Sequence, residues 1–225
     1  MLRIWISGRS GGIGQAAAAR LAQHADWTVT GLVRHPGPED AAMDVTWEED
    51  RIAAALAPLG PVDALVCAHG ADVSSPPLRQ APYGDRLKAL WEIDVAGTSK
   101  LVRCAVPHLT AGGVIVLIGS DEVDVGLPGE TAELYAIAKG AVTSYGKSLA
   151  AGLGDRARVY IVAVGWVLTR WGLSLSEERR EAVVQRSRAG RWQSPDTVAS
   201  VIERLVAAPG VASTGSVVSV EPGPV

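Results

Sequence analysis

The sequence predicts an α/β fold in one domain: a doubly wound parallel sheet with helices on both faces. Three observations predict it. Apolar runs of strand length alternate with longer helical segments in a β-α-β-α-β-α order that persists along the chain. The stretch 113–118 (Gly-Val-Ile-Val-Leu-Ile) is continuously apolar, as a strand covered on both faces is. The 225 residues are 48% hydrophobic and contain no internal repeat, low-complexity tract or linker, which suits a single packed core.

The pattern places the first strand over 2–7 and an alanine-rich helix over 14–24. A second strand covers 27–33 and ends where Pro36 and Pro38 forbid continuation. A short strand or turn at 42–45 precedes a helix over 48–59. Pro61 breaks the chain before a strand over 62–68. A long helix is expected over 85–109, a strand over 113–118, a helix over 131–151 and a strand over 158–164. Segment 166–192 reads as irregular or short-helical. Ser194 is placed to cap a helix over 195–207 with Pro195 in its first turn, and a last strand covers 216–220.

Composition excludes several function classes. The formal net charge is -3 and no basic stripe exists, so nucleic acid is not an expected partner. Cys67 and Cys104 lie far apart in no metal-like spacing, which points to a reducing compartment rather than a disulfide framework. The histidines His24, His35, His69 and His108 form no ligand pair, and no metal is expected. The N-terminal apolar run is too short for a signal peptide, and no stretch reaches membrane-spanning length. The expectation is a soluble, cytoplasmic protein.

The first strand runs into Ser7-Gly8-Arg9-Ser10-Gly11-Gly12-Ile13-Gly14 and then a helix. Glycines admit positive φ and let a ligand approach the backbone. The helix N-terminus adds N–H donors and a positive dipole end. Strand, glycine turn and helix in that order suit a pyrophosphate. The alternative is a tight turn with no ligand.

The spacing Gly-x-x-x-Gly-x-Gly resembles that of the short-chain dehydrogenase/reductase family, whose fold is Rossmann-like, and further motifs follow in the family's order. Asp44-Val45 resembles its acidic residue that contacts adenine. Cys67-Ala68-His69-Gly70 is similar to its Asn-Asn-Ala-Gly segment, and Ile118-Gly119-Ser120 to the strand end carrying its catalytic serine. Tyr135-Ala136-Ile137-Ala138-Lys139 matches Tyr-x-x-x-Lys, and Val164-Gly165-Trp166-Val167-Leu168-Thr169 resembles the segment beside the nicotinamide. Ser194-Pro195-Asp196, Thr214-Gly215 and Val220-Glu221-Pro222-Gly223 resemble its closing helix and strand. The resemblance spans nearly the whole chain. It implies that Gly8, Arg9, Ser10, Gly12, Ile13, Gly14, Asp44, Val45, Ala68, His69 and Gly70 border the dinucleotide, with Gly165, Trp166, Val167 and Thr169 near its nicotinamide.

Tyr135 and Lys139 are spaced i, i+4 and share a helix face. A nearby ammonium is expected to lower the phenol's pKa and make it a usable acid or base. The resemblance implies that Lys139 also holds the nicotinamide ribose, that Tyr135 protonates a carbonyl oxygen and that Ser120 polarises it. Ser120 stands two residues further from Tyr135 than is common in the family, and the usual position is Glu122. Asp94 replaces an asparagine whose main chain serves a proton relay. It either keeps that backbone role or pairs with Lys139. His69 is either structural or a ribose contact. Val164 replaces a proline.

The end of the second strand, Gly31-Leu32-Val33-Arg34-His35, offers no acid for ribose hydroxyls. Arg34, helped by Arg9, suits a 2′-phosphate, so NADP(H) is favoured over NAD(H). The expected function is NADP(H)-dependent reduction of a ketone on a moderately apolar small molecule, with segment 166–192 (Trp166, Trp171, Leu173, Leu175, Trp192) as a short substrate lid. The alternatives are a non-redox step such as cyclisation or dehydration on the same fold, or a non-catalytic dinucleotide-binding regulator. The resemblance implies a homodimer or homotetramer, with Val102, Ala105, Ala141, Val142 and Leu149 facing either the partner or the sheet.

Overall fold

A computed structural model of the chain describes residues 1–187 and 189–220. Strands β1 (Leu2–Ser7), β2 (Trp27–Val33), β3 (Asp40–Ala42), β4 (Val62–Cys67), β5 (Leu109–Ser120), β6 (Ala157–Val164) and β7 (Val217–Ser219) form one sheet in the order β3-β2-β1-β4-β5-β6-β7. Every pairing is parallel. The order reverses between β1 and β4, which opens a crevice at the carboxyl ends of those strands.

The apolar strands are buried on both faces, and their period of two sorts the core into two layers. Ile4, Ile6, Val116 and Ile118 pack on α1 (Gly12–Leu21) and α8 (Pro195–Ala207) through Leu21, Ile202 and Leu205. Trp5, Leu65, Ile115 and Leu117 face the opposite layer. That layer is built from α2 (Glu49–Leu56), α4 (Thr98–Ala105) and α5 (Glu130–Leu153), with Ile52, Leu101 and Val142 at its centre. Ser194 caps α8 by accepting from the Thr197 N–H at 3.0 Å, with Pro195 in the first turn.

Three elements differ from the sequence expectation. The helix expected over 85–109 is broken into α3 (Tyr83–Leu90), a π-helical stretch Trp91–Gly97 and α4, followed by a short turn at Val106–His108. β5 already begins at Leu109, because Pro107 cannot continue the helix. β3 lies at 40–42 rather than 42–45, with Asp40 paired opposite Gly31. Val102, Ala105 and Val142 are buried in the layer against the sheet, and half-buried Leu149 packs on the same layer. Segment 166–192 contains two short helices, α6 (Arg170–Ser174) and α7 (Glu177–Arg186). Residues 221–223 of the closing motif lie outside the described residues.

Two close backbone approaches fix the crevice. Gly8 has φ +73°, and a Cβ there would lie 2.5 Å from the His69 nitrogen. A Cβ on Gly14 would strike the Gly8 carbonyl oxygen and sit 2.8 Å from its carbon. Backbone atoms cannot yield as a flexible side chain can. Gly14→Ala is therefore expected to cost about 1–3 kcal/mol, at roughly 2–4 °C of Tm per kcal/mol. Gly84→Ala, on open helix surface, is expected to be neutral or stabilising. Thermal denaturation of both variants checks this, and equal Tm values contradict it.

Candidate active site

The hub of the crevice is an ion pair. Lys139 Nζ, on α5, lies 2.9 Å from Asp94 Oδ1, on the π-helical stretch; their side chains are 13% and 1% exposed. Single-turn π-bulges tend to occur where a helix must present a functional side chain, and here the bulge carries Asp94. Its other oxygen accepts from the Ala71 N–H at 2.8 Å, beyond the end of β4. Lys139 also donates to the Ile118 carbonyl of β5 at 3.2 Å. One turn earlier on α5, the Tyr135 hydroxyl donates to the Ala71 carbonyl at 3.2 Å.

This arrangement reverses one expectation. Burial pushes the Tyr135 phenol up to about 12; Asp94 and Asp72 add to the rise, and a hydrogen bond with Ser74 opposes it. Lys139 does not lower the phenol's pKa because its charge is matched by Asp94. The Tyr135 phenol is thus neutral across the physiological range.

Ser120 ends β5, and its Oγ accepts from the Glu122 N–H at 3.2 Å. The two extra residues before Tyr135 are absorbed in a helical turn, in which the Gly126 N–H reaches the Glu122 carbonyl at 2.8 Å. Ser120 and Tyr135 each bind a main-chain partner rather than one another. Glu122 is a group that motif reading passed over. Burial first, then repulsion by Asp121, push its carboxyl up to about 7, while the Trp166 indole and Arg186 oppose the shift. The signals of Glu122 in the sequence were an acidic run on a loop at the carboxyl edge of the sheet and its place at the family's usual serine position.

The glycine turn fits a dinucleotide phosphate. Gly8 adopts positive φ, and its carbonyl accepts from the Gly11 N–H at 2.9 Å. The first-turn N–H groups of α1, on Gly12, Ile13 and Gly14, have no acceptor within the helix. No acidic side chain occupies that turn and no side chain caps it. A Cβ on Gly12 would lie 2.7 Å from Thr169 Cγ2, so the 165–169 loop closes directly on the turn. That loop is held by Gln193, a buried residue with no motif to mark it. Its Oε1 accepts from the Gly165 N–H at 3.0 Å, and its backbone pairs with Trp166 and Leu168.

His69 is a strut. Nδ1 meets Ser7 Oγ at 2.6 Å and Nε2 meets Thr98 Oγ1 at 3.1 Å, which ties β1, β4 and α4 together. Burial pushes the imidazole down to about 4, so it is neutral. Ala68 continues β4 through its N–H to the Ser7 carbonyl, and Gly70 abuts Asp94. Asp44 closes a turn by accepting from the Thr46 N–H and hydroxyl, both at 2.9 Å, and Val45 packs against Gly97. Ser10 is exposed beside the turn.

The two arginines expected at a 2′-phosphate part company. Arg34 is exposed just past β2 and forms no ion pair among the described residues. Arg9 instead pairs with Asp40 at 2.7 Å and Glu39 at 3.4 Å. The sequence reading found no acid beside the second strand. The pairing of β2 with β3 supplies one, Asp40, opposite Gly31. Trp166, Trp171 and Trp192 cluster with ring centroids 5.6–6.1 Å apart beyond the loop.

A glycine turn at a topological switch point, with a Tyr–Lys pair on the helix behind it, defines a dinucleotide-binding α/β protein. A family model described as enoyl-(acyl carrier protein) reductase matches residues 8–224. The chain is 28% identical to a 3-oxoacyl-[acyl-carrier-protein] reductase of Thermotoga maritima, covering 97% of this chain and 95% of the relative. It is 27% identical to the cis-4-hydroxycyclohexanecarboxylate dehydrogenase of Sinomonas cyclohexanicum, covering 97% and 94%. A crystal structure of a dehydrogenase/reductase from Sinorhizobium meliloti superposes with a TM-score of 0.82 at 27% identity, covering 99% and 94%. The chain belongs to the short-chain dehydrogenase/reductase family and is an oxidoreductase whose family binds nicotinamide dinucleotides. Among the described residues no helix is long and apolar enough to cross a membrane, and no group of three His, Cys, Asp or Glu is placed to hold a metal ion.

The Glu122 shift gives a pH signature. A carboxyl at 4.5 when unfolded and about 7 when folded contributes stability that is full below pH 4.5 and lost as pH rises through 7. The Tm of Glu122→Gln relative to the parent is therefore expected to rise between pH 4.5 and pH 8, by about 2 °C or more. Calorimetric scans across that range check it, and a pH-independent difference contradicts it.

Proposed function

We propose that the protein is an NADP(H)-dependent reductase that converts a ketone of a small, moderately apolar molecule to a secondary alcohol, with Tyr135 as proton donor. The observation that carries this reading is the neutral, half-buried Tyr135 phenol on the same helix face as Lys139, at the sheet edge that also holds the glycine turn. The N–H groups of Gly12, Ile13 and Gly14 would hold the pyrophosphate, and Lys139 the nicotinamide ribose. When bound, the nicotinamide supplies or accepts the hydride. Ser120 hydrogen-bonds the substrate oxygen, and Tyr135 protonates it. The phenol is held in its protonated form, the form that donates to a carbonyl oxygen when the reaction runs toward the alcohol. Lys139 is held in place by its ion pair with Asp94. The two named relatives act at a keto or secondary hydroxyl carbon, in keeping with this chemistry.

NADP(H) rather than NAD(H) rests on Arg34 alone, since Arg9 is neutralised by Asp40 and Glu39. Segment 166–192 serves as the lid of one domain spanning residues 1–225. The protein works in the cytoplasm as a homodimer or homotetramer, through the exposed apolar side chains of Trp91 and Ile137. A second reading has one observation in its favour. Glu122, poised near neutrality, could move a proton without a cofactor, as a non-redox isomerisation or dehydration requires. Substrate turnover without NADPH consumption would select it.

Tyr135→Phe is expected to lower kcat about 10²–10⁴-fold while leaving the Kd for NADPH unchanged. Steady-state assay with parallel cofactor titration checks this, and unchanged kcat contradicts the assignment. Arg34→Glu is expected to weaken NADPH binding about tenfold or more and to spare NADH. Equal losses for both cofactors would remove Arg34 from the 2′-phosphate site.

A further inference from the structure

Beside Tyr135 lies a cavity of about 240 Å³ between the loop that follows β4 and the segment carrying α6 and α7. Ser74 and Arg79 line it from the first side, and Trp171, Leu175, Ser176 and Arg179 from the second. Ser74 lies three residues beyond Ala71, whose carbonyl accepts from the Tyr135 hydroxyl, so one wall of the cavity belongs to the loop that holds the phenol. No carboxylate lines it. Neither Arg79 nor Arg179 forms an ion pair among the described residues, whereas Arg3, Arg9, Arg20, Arg86 and Arg103 are all paired with acids. The nearby acids leave this balance intact. Asp72 accepts from the Ser74 and Ser75 N–H groups at 3.0 Å, and Glu177 and Glu178 are exposed on the first turn of α7.

We propose that this cavity is a substrate subsite and that the substrate carries an oxyanion, a carboxylate or phosphate, held between Arg79 and Arg179 at a distance from its reacting carbonyl. The proposal rests on the reductase reading and names its substrate class. Guanidinium groups recognise oxyanions through paired, charge-assisted hydrogen bonds. Serine hydroxyls supply further donors, while the Trp171 ring and Leu175 take an apolar body. The volume suits the anionic end of a small keto acid or keto phosphate. Arg79 and Arg179 come from the two walls, so an anion between them also draws the α6–α7 segment onto the loop and closes the site over Tyr135.

The test is calorimetric titration of the full chain, with NADP⁺ present, using 4-oxopentanoate, its methyl ester, dihydroxyacetone phosphate and dihydroxyacetone. An anion is expected to bind at least about tenfold tighter than its neutral counterpart, and this preference is expected to weaken with salt. It should vanish in the Arg79→Gln/Arg179→Gln double variant. Both residues are exposed, so that variant keeps the parent's Tm. The tighter of the two anions assigns carboxylate or phosphate. Equal binding of acid and ester, no binding of either anion at millimolar concentration, or a preference that survives in the double variant overturns the proposal. NADPH consumption with the same probes separates the two readings. Turnover of ketones without anion preference sinks the subsite alone. Arginine-dependent anion binding without NADPH consumption sinks the reductase and leaves the subsite.

Discussion

The buried pair between Lys139 and Asp94 is the constraint on which the rest of the site depends. Taking two charges out of water is costly, and the interior repays it only when further hydrogen bonds are satisfied. Here the Ala71 N–H and the Ile118 carbonyl satisfy them. The pair therefore joins the π-helical stretch, α5, the strand end of β5 and the loop after β4 at one point. Tyr135 is tied to the same loop through the Ala71 carbonyl. Its protonation state follows first from burial, with the Asp94 charge adding to the rise. A lysine left unpaired would favour phenolate; a lysine matched by Asp94 leaves a neutral phenol held high by burial.

Around that point the carboxyl edge of the sheet divides by charge. The glycine turn and α1 present N–H groups and no acid. Arg34 stands exposed at the end of β2, while Arg9 is turned away by Asp40. On the other side, Asp121 and Glu122 lie against the 165–169 loop and Trp166. Beyond Tyr135, the cavity between Arg79 and Arg179 is basic. His69 and Gln193 bear no charge, but they hold the two loops against which a dinucleotide would lie. The chemistry is carried by few residues, and many more fix where those few stand.

Much of this was legible because it is local. Strand burial follows from period two and continuous apolar runs, and the helix cap at Ser194 from a single residue type. The Tyr–Lys pair follows from i, i+4 spacing, and the glycine turn from its strand and helix neighbours. What was not legible depends on contacts between distant residues. The π-helical stretch keeps an apolar rhythm close enough to helical that residues 85–109 read as one helix. Asp40 lies nine positions beyond its partner Gly31, and only the register of β2 with β3 brings it to Arg9. The direction of the Tyr135 shift needed the burial of the phenol in the folded chain, and the position of Asp94, 41 residues earlier, adds to it. Gln193 sits in no motif, and the rise in the Glu122 pKa follows from burial that its place in the sequence does not show. Val102, Ala105 and Val142 could face either way until the sheet claimed them.

The central claim is that the glycine turn holds a nicotinamide dinucleotide beside Tyr135. Titration of the purified chain with NADPH, followed by energy transfer from tryptophan to the reduced nicotinamide, tests it most directly. The account predicts saturable binding of one NADPH per chain, tighter than NADH, with transfer from Trp166 across the 165–169 loop. Failure of both NADPH and NADH to bind would contradict it.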